Sequence, residues 1–68
     1  MEELIWGRRI RAFRKLKGYT QEEFAKMLGV SVSVLGEVER GTREPGDDLV
    51  KRVTQALNVT YDELTSIN

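Results

Sequence analysis

Apolar residues recur along this chain at spacings of three and four, in short stretches separated by glycine, and this period predicts five short helices and no strand. The first should run from about Leu4 to Lys17, with Trp6, Ile10, Phe13 and Leu16 on one stripe and Gly18 as its stop. Gly7 should weaken its first turn. Thr20 followed by Gln21, Glu22 and Glu23 is a capping-box pattern, in which the threonine bonds the N–H of Glu23 and the Glu23 carboxylate returns the bond. A second helix therefore opens there, turns Phe24, Ala25 and Leu28 inward, and stops at Gly29, the residue that takes a left-handed backbone at least cost. Ser31 caps a third helix that reaches about Arg40.

Gly41 closes the third helix, and the residues from Thr42 to Gly46 form a turn around Pro45. Asp47 or Asp48 then places a carboxylate at the positive end of a fourth helix, whose buried stripe is Leu49, Val53, Ala56 and Leu57. Asn58 ends it, Val59 plugs the core, and Thr60 caps a last helix with Asp62 and Glu63 in its first turn and Leu64 inward. The expected core is Trp6, Ile10, Phe13, Phe24, Ala25, Leu28, Val30, Leu35, Val38, Leu49, Val53, Leu57, Val59 and Leu64. Ile67 is left near the end without an obvious internal partner.

With 68 residues, 40% of them apolar and 32% charged, the chain reads as one folded domain spanning 1–68. A domain this small gains little net stability from its own core, so self-association is expected. There is no cysteine and no histidine, which removes disulfides, thiolate ligands and the commonest metal ligand and general base. No metal, no cofactor and no enzymatic activity are expected, since scattered carboxylates without a nucleophile or base make no catalytic site. The acidic start at Glu2 and Glu3 and the absence of a long apolar run point to the cytoplasm and away from a membrane.

The formal net charge is zero, yet the charges are segregated. Arg8, Arg9, Arg11, Arg14, Lys15 and Lys17 follow one another with no intervening acid, while Glu22, Glu23, Glu37, Glu39, Glu44, Asp47 and Asp48 dominate the middle. A basic run of this kind is most often a solvated helix face, so charge alone does not assign a function.

The stretch from 20 to 40 is more informative. Two helices joined by so short a link must cross steeply, which requires a small residue where their backbones meet (Ala25), a glycine at the turn (Gly29) and apolar residues on the facing sides (Phe24, Leu28, Val30, Leu35, Val38). Taken with Ile10-Arg11, Arg14, Gly18, Glu39-Arg40-Gly41, Pro45 and Ala56-Leu57-Asn58-Val59, this stretch resembles the Xre and Cro type of phage-repressor helix-turn-helix family over essentially the whole chain. The resemblance implies an all-α, compact five-helix bundle of the lambda-repressor-like DNA-binding type.

It also implies roles. In that family the third helix enters the major groove and the second crosses the backbone. Val32, Ser33, Val34 and Glu37 would then meet base edges, while Thr20, Gln21, Arg40, Thr42 and Arg43 would meet phosphates. Arg14 and Glu39 match a structural salt bridge. Where the family usually has glutamine and often serine, this chain has Val32 and Gly36. A valine can touch a thymine methyl and a glutamate can accept from cytosine N4, but neither forms the bidentate bonds that separate bases most strongly. Trp6 and Tyr19 are expected to pack in the core rather than stack on nucleic acid.

Two functions follow from different classes. One is a sequence-specific double-stranded DNA-binding transcriptional regulator, a repressor acting as a homodimer on an inverted-repeat operator. The other is an antitoxin-like protein-interaction module that uses the apolar and acidic face of the third helix to bind a protein partner. Gln21, Arg40 and Arg43 favour the first, and Val32, Val34 and Glu37 favour the second.

Overall fold

A computed structural model describes the backbone of residues 2–65 and the side chains of residues 7–64. Among these residues there are five helices and no strand: α1 (Glu2–Leu16), α2 (Gln21–Leu28), α3 (Val32–Arg40), α4 (Gly46–Leu57) and α5 (Tyr61–Thr65). α1 packs chiefly on α3 and α5, and α2 packs on α3 and α4. The side chain of Trp6 and all of Ile67 lie outside the described residues.

Local chemistry sets the helix ends. Thr20 Oγ1 accepts from the N–H of Glu23 at 3.1 Å while Glu23 Oε1 accepts from the N–H of Thr20 at 2.9 Å, and Thr60 with Glu63 repeats the same reciprocal pair at 3.0 and 2.8 Å. Ser31 Oγ accepts from the N–H of Val34 at 3.1 Å and starts α3. Asn58 ends α4 with a φ of 58°, a left-handed conformation that asparagine tolerates better than most side chains.

The core consists of Ile10, Phe24, Ala25, Leu28, Leu35, Val38, Leu49, Val50, Val53, Leu57 and Leu64. Phe13, Val30 and Val59, expected inside, are partly buried and pack against its rim together with Tyr19 and Ala56. Tyr19 stacks on Phe24 with ring centroids 5.9 Å apart, so its ring is committed to the protein. Val50 belongs to the core although the stripe read from the sequence skipped it.

Two expectations need correction. Leu16 does not face inward: it is 77% exposed. At about 100° per residue it lies roughly 120° around the helix from Ile10. The inward line instead runs through Gly7, Ile10 and Arg14, all buried, so an arginine fills a position that an apolar pattern assigns to a hydrophobe. Gly7 is not merely a weak point in a helix. A Cβ there would lie 2.4 Å from the carbonyl oxygen of Val38 and 2.5 Å from that of Glu39, so the missing side chain lets α1 rest directly on the end of α3. Leu64, expected inward, is fully buried.

Candidate nucleic-acid interface

The α2 to α3 link is three residues long because both of its ends are sharply defined. Gly29 takes a φ of 77°, its N–H bonds the carbonyl of Lys26, and the N–H of Val30 reaches back to the carbonyl of Ala25 at 3.0 Å. Ala25 and Phe24 are buried, and Leu35 and Val38 present the matching side of α3. A further tie comes from α4. Arg52 Nη1 donates to the last carbonyl of α2, that of Leu28, at 3.0 Å, and its Nη2 lies 3.0 Å from Asp48 Oδ2. Sequence reasoning missed Arg52, and its i, i+4 spacing from Asp48 was the available signal.

One buried ion pair fixes the orientation of this unit on α1. Arg14 Nε and Nη2 donate to Glu39 Oε2 and Oε1 at 2.7 and 3.2 Å, and Arg14 Nη1 donates to the Tyr19 carbonyl at 2.8 Å. Gln21 Nε2 adds a third donor to the Glu39 carboxylate at 3.0 Å. The side chains of Arg14 and Glu39 are only 8% and 2% exposed, so their charges are balanced almost entirely by each other and by these bonds. The network thus joins the end of α1, the start of α2 and the end of α3 in one place. Gln21, expected at a phosphate, spends one of its donors on Glu39. Around it, the N–H groups of Gln21 and Glu22 in the first turn of α2 have no intrahelical acceptor.

The sequence-selected residues of α3 occupy the side away from the core. Val32 is 40% exposed, Ser33 is exposed, and Val34 and Glu37 are half-buried. Glu37 does not stand alone, because Arg43 Nε lies 2.7 Å from its Oε1. The pair spans the turn after α3, which is further held by Thr42, whose N–H and Oγ1 both donate to the Glu37 carbonyl at 2.9 and 3.1 Å. The like-charge repulsion that Glu37 would exert on phosphates is offset locally by Arg43. Arg40, at the end of α3, lies back over Gly36, with Nη1 3.0 Å from where a Cβ would be. The three residues assigned to phosphate on this side, Arg40, Thr42 and Arg43, therefore border the exposed face of α3, and Thr20 and Gln21 border the start of α2.

Among the described residues no group of three or more His, Cys, Asp or Glu side chains could hold a metal ion, and no helix is long and apolar enough to cross a membrane. What the geometry offers is a short helix presented outward by a steeply crossed partner, with cations at its end. That is the geometry of a helix-turn-helix unit.

Comparison with known proteins agrees. The model of the helix-turn-helix family HTH_3 matches residues 10–64, and the chain belongs to that family. It is 64% identical over 64 residues to the HTH-type transcriptional regulator YazB of Bacillus subtilis (strain 168), covering 94% of this chain and 93% of that protein. It is 34% identical over 58 residues to the antitoxin PezA of Streptococcus pneumoniae serotype 4, where the match covers 85% of this chain but only 37% of PezA. Among solved structures it is similar to the restriction-modification controller protein C.AhdI of Aeromonas hydrophila, with a TM-score of 0.85 and 34% identity over 91% of this chain and 94% of that one. The chain is a transcriptional regulator with a helix-turn-helix DNA-binding fold, in a family of regulators rather than enzymes.

Proposed function

We propose that the chain, acting as one helix-turn-helix domain in the cytoplasm, binds double-stranded DNA sequence-specifically as a homodimer and represses transcription. In this reading α3 lies in the major groove with Val32, Ser33, Val34 and Glu37 toward base edges, and Thr20, Gln21, Arg40, Thr42 and Arg43 follow the phosphates. The observation that carries the reading is the outward face of α3, held at a fixed angle by the buried Arg14–Glu39–Gln21 network and flanked by Arg40 and Arg43. The dimer contact is assigned to α5 and its neighbours. There an open groove of about 360 Å³ is lined by Val50, Thr54 and the exposed ring of Tyr61, with Asp47 and Lys51 at its edge. The operator is an inverted repeat, as two-fold symmetry requires.

A second reading, binding of a protein partner through the α3 face, draws on the exposed Val32, the half-buried Val34 and the similarity to the antitoxin PezA. A salt titration separates the two. Binding of the chain to duplexes from the DNA upstream of its own gene should lose affinity linearly in log–log form as salt rises, and should exceed binding to a scrambled duplex by about a thousandfold or more. Equal, weak binding to both duplexes would leave the protein-partner reading as the better one.

A further inference from the structure

The basic run of α1 does not act as a unit. Arg14 is consumed by Glu39. Arg9 is consumed by α5, where its Nε donates to the Leu64 carbonyl at 3.3 Å and its Nη2 donates to that of Glu63, while its guanidinium covers the Phe13 ring at 5.3 Å. Arg8 and Arg11 are different. Three residues apart, they share a side of the helix. Both are exposed, and neither has a protein acceptor for its guanidinium among the described residues.

They are not scattered over the surface either. Arg8 and Arg11 form one wall of an open groove of about 740 Å³, completed by Arg14, Thr20, Gln21, Glu39 and Arg40. Four guanidiniums therefore border the groove against one carboxylate, and that carboxylate already accepts from Arg14 and Gln21. Among the described residues Arg8, Arg11 and Arg40 are left as three cations without a paired carboxylate around one concavity, in a chain whose formal net charge is zero. Several guanidiniums lining one concavity favour a phosphate, whose oxygens a guanidinium can bond in pairs.

We infer that this groove is a phosphate-binding site in which Arg8 and Arg11 of α1 act with Arg40 of α3, so that α1 adds a contact to the DNA backbone beyond those of α2 and the turn after α3. The occupant rests on the DNA-binding reading above; the anion site itself does not. The groove adjoins the start of α2 at Thr20 and Gln21, so a strand whose phosphate meets that helix end continues toward Arg11 and Arg8. Their role is to neutralise charge. They add affinity without base preference.

The test compares the intact chain with Arg8→Gln/Arg11→Gln, Arg8→Lys/Arg11→Lys and Lys26→Gln, the last changing an exposed cation of α2 that does not line this groove. The ligand is a mixed-sequence duplex of about two helical turns, titrated with salt, because phosphate contacts act on non-specific DNA as well. The double glutamine variant should keep the thermal midpoint of the parent, flatten the log–log salt slope by about two, and weaken binding roughly tenfold per arginine near 0.1 M salt. The double lysine variant should keep most of the slope, and Lys26→Gln should change neither quantity. A steep parental slope left unchanged by the double glutamine substitution would overturn the inference while leaving DNA binding intact. Should the parent bind no duplex in a salt-dependent way, the DNA reading fails, and titration with inorganic pyrophosphate decides the site. Saturable shifts of the guanidinium N–H resonances of Arg8, Arg11 and Arg40 would make it a site for a free oligophosphate, and unmoved resonances would overturn it.

Discussion

Glycine at two helical positions has opposite meanings here, and substitution should separate them. In an exposed helix interior alanine is favoured over glycine by about 1 kcal/mol. At Gly7 that gain is overwhelmed, because the new Cβ would press on the carbonyl oxygens of Val38 and Glu39, which are backbone atoms and cannot step aside. Gly7→Ala should cost about 1–3 kcal/mol as α1 is forced off α3. At Gly36 the nearest atom is the far end of Arg40, a flexible side chain. Gly36→Ala should therefore stabilise the fold by about 0.5–1 kcal/mol while moving Arg40 away from its place over α3. Urea denaturation of the two variants, read side by side, checks the opposite signs. The Arg14–Glu39 pair supplies a third expectation at this scale. Glu39→Gln leaves a buried guanidinium without its counter-charge, at a cost of about 3–5 kcal/mol, which is comparable to the whole stability of a small domain, so loss of helical circular dichroism at room temperature is the expected result.

At the scale of elements, capping chemistry was the most legible part of the sequence. Thr20 with Glu23, Ser31, Gly29, Gly41 and Asn58 each mark a helix end by a local rule, and the described helix ends follow them. Side-chain burial was less legible on α1, because its inward line contains a glycine and an arginine, neither of which registers in an apolar pattern; Leu16, which does register, faces out. The pairings of Arg9 with α5 and Arg52 with the end of α2 join residues whose approach depends on how the helices are set against each other, and spacing along the chain carries little of that. The selected face of α3 was legible because Leu35 and Val38 must point inward, which fixes the remaining positions by period. That same division yields a prediction. Leu35→Ala empties a fully buried position and should cost about 2–5 kcal/mol, whereas Val32→Gln, at an exposed position, should leave the unfolding midpoint in place and shift base preference at one position of each half-site by about 1–3 kcal/mol, as read from an operator series.

At the scale of the whole molecule, size decides what one chain can do. The described residues span 28 Å along their longest axis, and successive major grooves on one face of B-DNA are about 34 Å apart. In the proposed reading one chain, with a single exposed α3, would cover one groove segment, too short a sequence to stand out among the competing sites of a genome. Two copies related by a two-fold axis would place two α3 helices on one side of the duplex, and the proposed operator inherits that symmetry. The spacing of its half-sites then becomes a measurement of the dimer. Inserting about five base pairs between the half-sites turns the second one to the far side of the helix, out of reach of a rigid pair, and should reduce binding toward the level of a single half-site. The parental spacing should give one cooperative transition in an electrophoretic titration, and the lengthened operator two independent, weaker ones. Binding that is indifferent to the insertion would mean that each chain acts alone, and the assignment of a partner-facing surface to α5 and the Val50–Tyr61 groove would fall with it.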